Sequence, residues 1–576
     1  MKSIFPHPFA PIYHNGEFMK TLDEWLIIDI CNSIRERPNW KSKYKDPAIS
    51  SKWQNELKET ILHRTENVEE VISYAFRELQ WVEYLEKTFP GVEENGFHIG
   101  IDDKIVYSDQ VIDVNTKSDL IKAVERFANE EFKDGFDYHP GSNNQVVDLV
   151  HPSLYPLQYD VTPIFTSPQK EHTWWELHSM KSEEYNRDRT LGIAEYDEAI
   201  SQVKKNVDDY GISRRFQWLP TVLETRNYSF RSYINNLHPV KYQDLYEVIS
   251  QVIRLSAPGL NLCLSRLSSG PISRISLPMD DSLATEEWQR KLDKLMNPGS
   301  NPETGQEIEV DWAAVEAFEK TKKFNFRKFP PIYERDPPVN YSFDVRTYFE
   351  ELKVIVKLAN IELSSENPSY NGGSWHVEGT INEDIAATLL YYYDCENISE
   401  STLSFKSAYE DPYYEQDDKD GVEKFYDLHD EDRLTKEIGK METKEDRVLI
   451  FPNWFQHHVE PFELKDKTRS GHRKILCLFF VDPFNSKVIS TDMVPPQQKE
   501  WWNDGTDLCE FGLDEFAKEQ IENILKGRAD VKEMEWPITL ENAKVVRQEL
   551  MKERGIPKVD KYSEAAFARR FTLCEH

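Results

Sequence analysis

Residues 354–483 decide the fold. They read VIVKLANIEL (354–363), GGSWHVEG (372–379), IAATLLYYYD (385–394), STLSF (401–405), RVLIFPN (447–453), QHHVEPFEL (456–464) and RKILCLFFVDP (473–483). Each is a short apolar or alternating run bounded by turn residues, the pattern of strands in an antiparallel sandwich or barrel. Lys406–Asp446 interrupts the series. It is acidic and poor in aliphatics, and reads as an insert between strands, either a solvated excursion or a lid.

On either side the period changes. Leu22–Arg37, Val68–Phe89, Tyr242–Leu255 and Leu283–Leu295 carry apolar residues three and four apart, as one-faced helices do. Proline-rich connectors such as 152–168 and 329–338 separate them, and helices return from Leu513 to Arg570. The expected organisation is α+β. A mainly helical region spans 1–345, a β core spans 346–490 with the acidic insert 406–446, and a helical extension spans 491–576. No repeat of 20 to 50 residues indicates a solenoid.

Composition narrows the partners. The chain has 576 residues and a net charge of −32. That charge would repel nucleic acid and anionic membranes, and it favours a cationic substrate if it does more than keep the protein soluble. The longest apolar run, Ile475–Val481, is far too short to span a bilayer. The N-terminus has no sustained apolar stretch of the signal-peptide kind. Six scattered cysteines form no CxxC pair, so they read as reduced thiols in a cytoplasmic protein.

The chemistry lies in the histidines. A facial iron site takes three protein ligands and leaves adjacent positions open. A His-x-acid pair at a strand end puts two of those ligands on one face. The 15 histidines and 102 acidic residues would yield about three such pairs by chance, and three occur: His376/Glu378, His429/Glu431 and His458/Glu460. His429 lies in the acidic insert, away from any expected strand. His458/Glu460 leaves only His472 and the terminal His576 beyond it, too little chain for a third ligand on a separate strand. His376/Glu378 follows a Gly-Gly turn and precedes several strands, after which come His457 and His458. As neighbours on a strand these two point to opposite faces, and residue spacing alone leaves the choice between them open.

Arg473 stands at the entry to the most apolar strand, KILCLFFV. A guanidinium there needs an anionic partner. The free carboxylate of a bound 2-oxo acid would serve, gripped by two parallel hydrogen bonds. A structural ion pair is the blander alternative. Arg469, in the polar loop KDKTRSG, is the runner-up.

Together WHVE, FPNWFQHHV and GHRKIL resemble the double-stranded β-helix (jelly roll) of the iron(II)/2-oxoglutarate-dependent oxygenases. The resemblance implies Fe(II) held by His376, Glu378 and His457, the valine two positions on selecting His457 over His458. It further implies 2-oxoglutarate clamped by Arg473, O2 as the second cosubstrate, and hydroxylation of a small-molecule or peptide substrate with release of succinate and CO2. More closely, SYINNLHPV (232–240) and the core segments resemble a large fungal family of unknown function. Arginine stands in that family where this chain has His458. The carboxylate ligand is Glu378 where most small-molecule oxygenases use aspartate. Glutamate occurs in a demethylase branch that grips the cosubstrate with lysine, which brings Lys357 and Lys474 into consideration. A cupin-like metal-dependent hydrolase and a non-catalytic β-helix scaffold are the competing readings. The aromatic residues Tyr391–Tyr393, Trp501 and Trp502 are either core packing or pocket lining.

Overall fold

The computed structural model describes residues 5–9, 17–159, 161–165, 177–179, 211, 213, 215–269, 274–275, 286–300, 302, 304–321, 343–412, 414, 419–502, 537–554 and 567–573. The architecture is α+β, with antiparallel sheets. The main sheet has eight strands. Seven lie in the order β1 (His98–Ile99), β2 (Val106–Ser108), β14 (Val448–Pro452), β11 (Ile385–Glu396), β17 (Gly471–Val481), β9 (Glu351–Leu363) and β3 (Val146–Val150). The eighth, β8 (Thr221–Glu224), pairs with the N-terminal end of β9. A second sheet runs β13 (Thr435–Glu442), β12 (Thr402–Ala408), β15 (Gln456–Val459). Three two-stranded ribbons complete the set: β4 (Leu157–Gln158) with β7 (Phe216–Gln217), β5 (Pro163–Phe165) with β6 (Leu177–Ser179), and β10 (Ser369–Tyr370) with β16 (Phe462–Glu463).

The sequence of β17 shows why it is central. It lies between β11 and β9. Leu476–Val481 are all buried, so the strand is a continuous apolar run rather than an alternating one. One face of the main sheet carries Arg473, Cys477 and Phe479 of β17. Their partners on that face are Ile361, Lys357 and Ile355 of β9 and Leu390 and Thr388 of β11, the latter facing Phe451 of β14. This face meets the second sheet, where the Phe405 and Phe451 rings pack edge to face at 5.0 Å. One hydrophobic cluster runs through both sheets and into the helices.

The helix Gln243–Ser268 covers the opposite face, and Gly259 sets how closely it approaches. A Cβ there would fall 2.5 Å from Phe97 and 2.9 Å from Ile450 on β14, so only glycine permits the contact. Helices Leu22–Arg35, Pro47–Ile61, Val68–Thr88 and Val114–Glu131 add further layers. Thr21 closes the first with a capping box to Glu24.

Three expectations need correction. The region 1–345 is helical over the stretches expected, but it also supplies β1, β2, β3 and β8 to the main sheet. These strands have two to five residues, too short to show a period of two. The acidic insert 406–446 is not merely an excursion, because its second half is β13. Ile438 and Met441 are the buried residues of that strand, three apart, and a bulge opposite Phe405/Lys406 explains the broken alternation. The first half holds a short helix, Lys419–Tyr426. The expected helix at 242–255 runs on to Ser268 through Pro258. Of the C-terminal helical stretch, Leu540–Arg554 is a helix, while 513–536 and 555–566 lie outside the described residues, as does the connector 329–338. Among the described residues, no helix is long and apolar enough to cross a membrane. Cys31, Cys263, Cys395 and Cys477 are free thiols, and Cys509 and Cys574 lie outside the described residues.

Candidate metal centre

A β-bridge builds the site. His376 and His457 exchange both backbone hydrogen bonds, His376 N to His457 O at 3.1 Å and His457 N to His376 O at 2.9 Å. This brings their ring centroids to 4.5 Å, with the planes tilted by 50°. Gly372 makes the approach possible. At φ +87° it sits where a Cβ would strike the Val459 carbonyl at 2.7 Å. Asn453, in the tight turn between β14 and β15, is buried and grips the Glu378 backbone from both sides. Its Oδ1 accepts from Glu378 N at 2.8 Å and its Nδ2 donates to Glu378 O at 2.8 Å.

The side chains converge. Glu378 Oε1 lies 3.6 Å from His376 Nε2 and 3.5 Å from His457 Nε2. One ligand atom from each of the three residues lies within 4.8 Å of the others. Those separations exceed a good hydrogen bond and leave room for a shared cation. His376 Nδ1 lies 2.8 Å from the Ser374 carbonyl. That contact puts the proton on Nδ1 and leaves the Nε2 lone pair facing Glu378. His457 is buried against Phe451, rings 4.9 Å apart, whereas the His376 side chain is about half exposed (45%). Burial alone would raise the Glu378 carboxyl, but the two imidazoles facing it hold it well below the usual range. Partial desolvation among the neighbouring groups pulls His376 down, and Glu378 more than reverses this. His457 is lowered by burial and by the charge of His376.

His458 faces elsewhere. Its ring packs on Trp375 at 4.2 Å and its Nε2 pairs with Glu460 at 3.2 Å. The other candidate pair, His429/Glu431, stays apart from the cluster, with His429 beside Glu423 and Asp432.

Arg473 is the bulkiest of the fully buried side chains, 1% exposed. Its Nη1 donates to Ser401 Oγ at 2.5 Å and Thr443 Oγ1 at 3.1 Å. The guanidinium lies over Tyr392 at 5.5 Å and Phe462 at 4.9 Å. Its Nε is buried without a partner among the described residues. Among the described residues no carboxylate pairs with it, so the structural ion pair considered above is absent. Arg469 is exposed and pairs with Asp466. Lys474 pairs with Asp394 at 2.7 Å. Of the aromatic run, Tyr392 lines the arginine, and Trp501 packs on Tyr233 and His238 instead.

A second cluster, His139, Asp148 and His151, did not emerge from the sequence. His139 Nδ1 lies 2.9 Å from Asp148 Oδ2, Arg547 Nη1 lies 3.4 Å from the same oxygen, and Ser153 N donates to His151 Nδ1 at 3.2 Å. Burial drives His151 down to about 3. Burial would raise Asp148, but His151 and His139 bring it to about 2. The available signal was Asp148 itself, a carboxylate inside the buried run VVDLV, which demands partners.

The sequence matches the family model "Protein of unknown function (DUF4246)" over residues 69–505, and that family's N-terminal domain over residues 1–56. The chain belongs to this family. No curated protein matches it. Among solved structures it is similar to IDO from Bacillus thuringiensis, at 10% identity and TM-score 0.17, covering 32% of this chain and 64% of that one. It is also similar to the Fe(II)/(alpha)ketoglutarate-dependent dioxygenase TqaL, at 13% identity and TM-score 0.17, covering 34% and 64%. The chain thus covers less than two thirds of either neighbour. Likenesses at these TM-scores carry no argument about fold or chemistry.

Proposed function

We propose that the chain is an iron(II)- and 2-oxoglutarate-dependent oxygenase whose two facing sheets form a jelly roll, with the core at 346–490. The observation that carries this reading is a pairing: a two-histidine, one-glutamate cluster beneath one sheet, and a buried guanidinium lacking a carboxylate on the sheet that faces it. Imidazole and carboxylate suit iron(II), and three protein ligands leave positions for a chelating cosubstrate. An unpaired buried cation costs several kcal/mol, which a bound carboxylate would offset.

On this reading His376, Glu378 and His457 hold the metal. Asn453 fixes the backbone of Glu378, and the Ser374 carbonyl fixes the tautomer of His376. Arg473, flanked by the Ser401 and Thr443 hydroxyls, binds the far carboxylate of 2-oxoglutarate, while Tyr392 and Phe462, which lie against the guanidinium, keep that end dry. Bound iron with 2-oxoglutarate and O2 supplies the oxidising chemistry that hydroxylates a substrate, giving succinate and CO2. A small molecule or peptide is the substrate class.

A metal-dependent hydrolase with the same ligands would leave Arg473 without a task. The two readings separate on product: protein supplied with iron(II), 2-oxoglutarate and air should form succinate slowly even without substrate, and Arg473→Ala should not. Succinate formation no faster than with iron alone would refute the oxygenase reading.

A further inference from the structure

The segment that carries His376 and Glu378 is an edge of the second sheet. His376 spends both backbone groups on His457 of β15, and β15 gives its other side to β12. Peptide planarity then fixes where the neighbouring groups point. The Trp375 carbonyl shares a peptide unit with the His376 N–H, and the Val377 N–H shares one with the His376 carbonyl, so both point away from β15. The Val377 carbonyl turns outward by the same rule, since the Glu378 N–H of its unit faces Asn453 in the turn that leads into β15. Among the described residues none of these three outward groups has a hydrogen-bond partner.

Solvent reaches this edge. Gly373, Ser374 and His376 are exposed, and Trp375 and Val377 are half-buried. An edge with unpaired donors and acceptors is a template for another extended chain. A strand added here would lie about 4.8 Å away in the plane of the sheet. His376 and Glu378 project from the same face as His457, so every second side chain of the added strand would project from that face too. Its Cβ would stand about 5 Å from that of its cross-strand neighbour. The pairing that binds the chain thus sets a side chain beside the metal ligands. A small metabolite lacks the alternating N–H and C=O groups that match such an edge, whereas a polypeptide has them. The net charge of −32 draws a basic segment.

We propose that the substrate is a basic polypeptide segment that adds a strand to the edge at Trp375–Val377 and presents one side chain to the metal; this rests on the oxygenase reading above.

The test is amide hydrogen exchange at single-residue resolution on the full chain loaded with manganese(II) and 2-oxoglutarate. The probe is a pool of peptides of about ten residues, the length of a long strand, with randomised centres and lysine at both ends. Two controls run beside it: the same pool N-methylated along its backbone, which keeps side chains and charge but loses the N–H groups, and a mixture of the free amino acids. Without peptide, the Val377 amide should exchange quickly and the His376 and His457 amides slowly. The pool should slow exchange at Val377 about tenfold or more, and both controls less than about twofold. A Val377 amide already slow without peptide, equal protection by the two pools, or protection by the amino acids alone overturns the proposal. Uptake of 2-oxoglutarate is measured in the same samples. Uptake with no effect of the pool on Val377 overturns the peptide inference alone, and no uptake overturns the oxygenase reading and this inference with it.

Discussion

The two clusters, His376/Glu378/His457 and His139/Asp148/His151, each combine two histidines and a carboxylate, in different states of use. In the second, several candidate ligand atoms already have protein partners, although Asp148 Oδ1 is buried without one among the described residues. Asp148 is hydrogen-bonded to His139 and approached by Arg547, and His151 spends its Nδ1 on the Ser153 amide. In the first, His376 uses only its outer nitrogen, on Ser374, and both imidazoles turn Nε2 to Glu378 at 3.5–3.6 Å. On the proposed reading the first cluster is the metal-binding one, because both imidazoles keep Nε2 directed at the shared carboxylate.

The largest expected effect breaks the first cluster and spares the second. His376→Ala or His457→Ala should abolish stoichiometric iron(II) binding, measured by metal analysis after gel filtration. His151→Gln should leave the stoichiometry at one. If the metal were lost with His151 and kept without His376, the roles of the two clusters would be reversed. Next in size is Arg473→Ala, which should weaken 2-oxoglutarate binding about 10- to 100-fold with metal affinity unchanged, the value of a charge-assisted bond to a carboxylate. Calorimetry against the metal-loaded protein reads this directly.

Asn453→Ala removes both clamps on the Glu378 backbone, and a loss of about tenfold in iron(II) affinity is expected, as for other groups that orient metal ligands. Unchanged affinity would mean that the β-bridge alone positions Glu378. The smallest effect belongs to the second cluster and is one of stability. His151 is held neutral down to about pH 3 by burial. The unfolded chain protonates this histidine below about pH 6.5 and the native state does not. Stability contributed by neutral His151 is therefore present above pH 6.5 and is lost as pH falls toward 3, at about 1 kcal/mol per unit. Denaturant titrations should show that slope in wild type and a flatter one in His151→Gln.

How legible each part was depends on how local its signal is. β9, β11 and β17 have 11 to 13 residues and bury most of their length, so their apolar runs stand out. β1, β2 and β8 have two to four residues; β2 joins the sheet by pairing with β14 and β8 by pairing with β9, each far along the chain, for which no local pattern exists. β13 was hidden by its charged outer face and its bulge. The convergence of His376, Glu378 and His457 was legible because His376 and Glu378 sit two apart beside a Gly-Gly turn. The choice of His457 over His458 was not, since either neighbour satisfies the same spacing. The structure turns His457 to Glu378 and His458 to Trp375. Arg473 was legible as a charge entering an apolar strand, whereas its hydroxyl partners Ser401 and Thr443 meet only through the pairing of β12 with β13. Lys357 drew notice only through a family resemblance. Its position beside both clusters follows from the β9 register, which the sequence does not display.

The central claim is that His376, Glu378 and His457 hold iron(II) in a site that also takes 2-oxoglutarate. The most direct measurement is the visible absorption that 2-oxoglutarate gives on chelating protein-bound iron(II), recorded without oxygen for wild type and His376→Ala. A band in wild type that is missing from the variant is the predicted result. Iron bound stoichiometrically with no band, or the same band in both proteins, would contradict it.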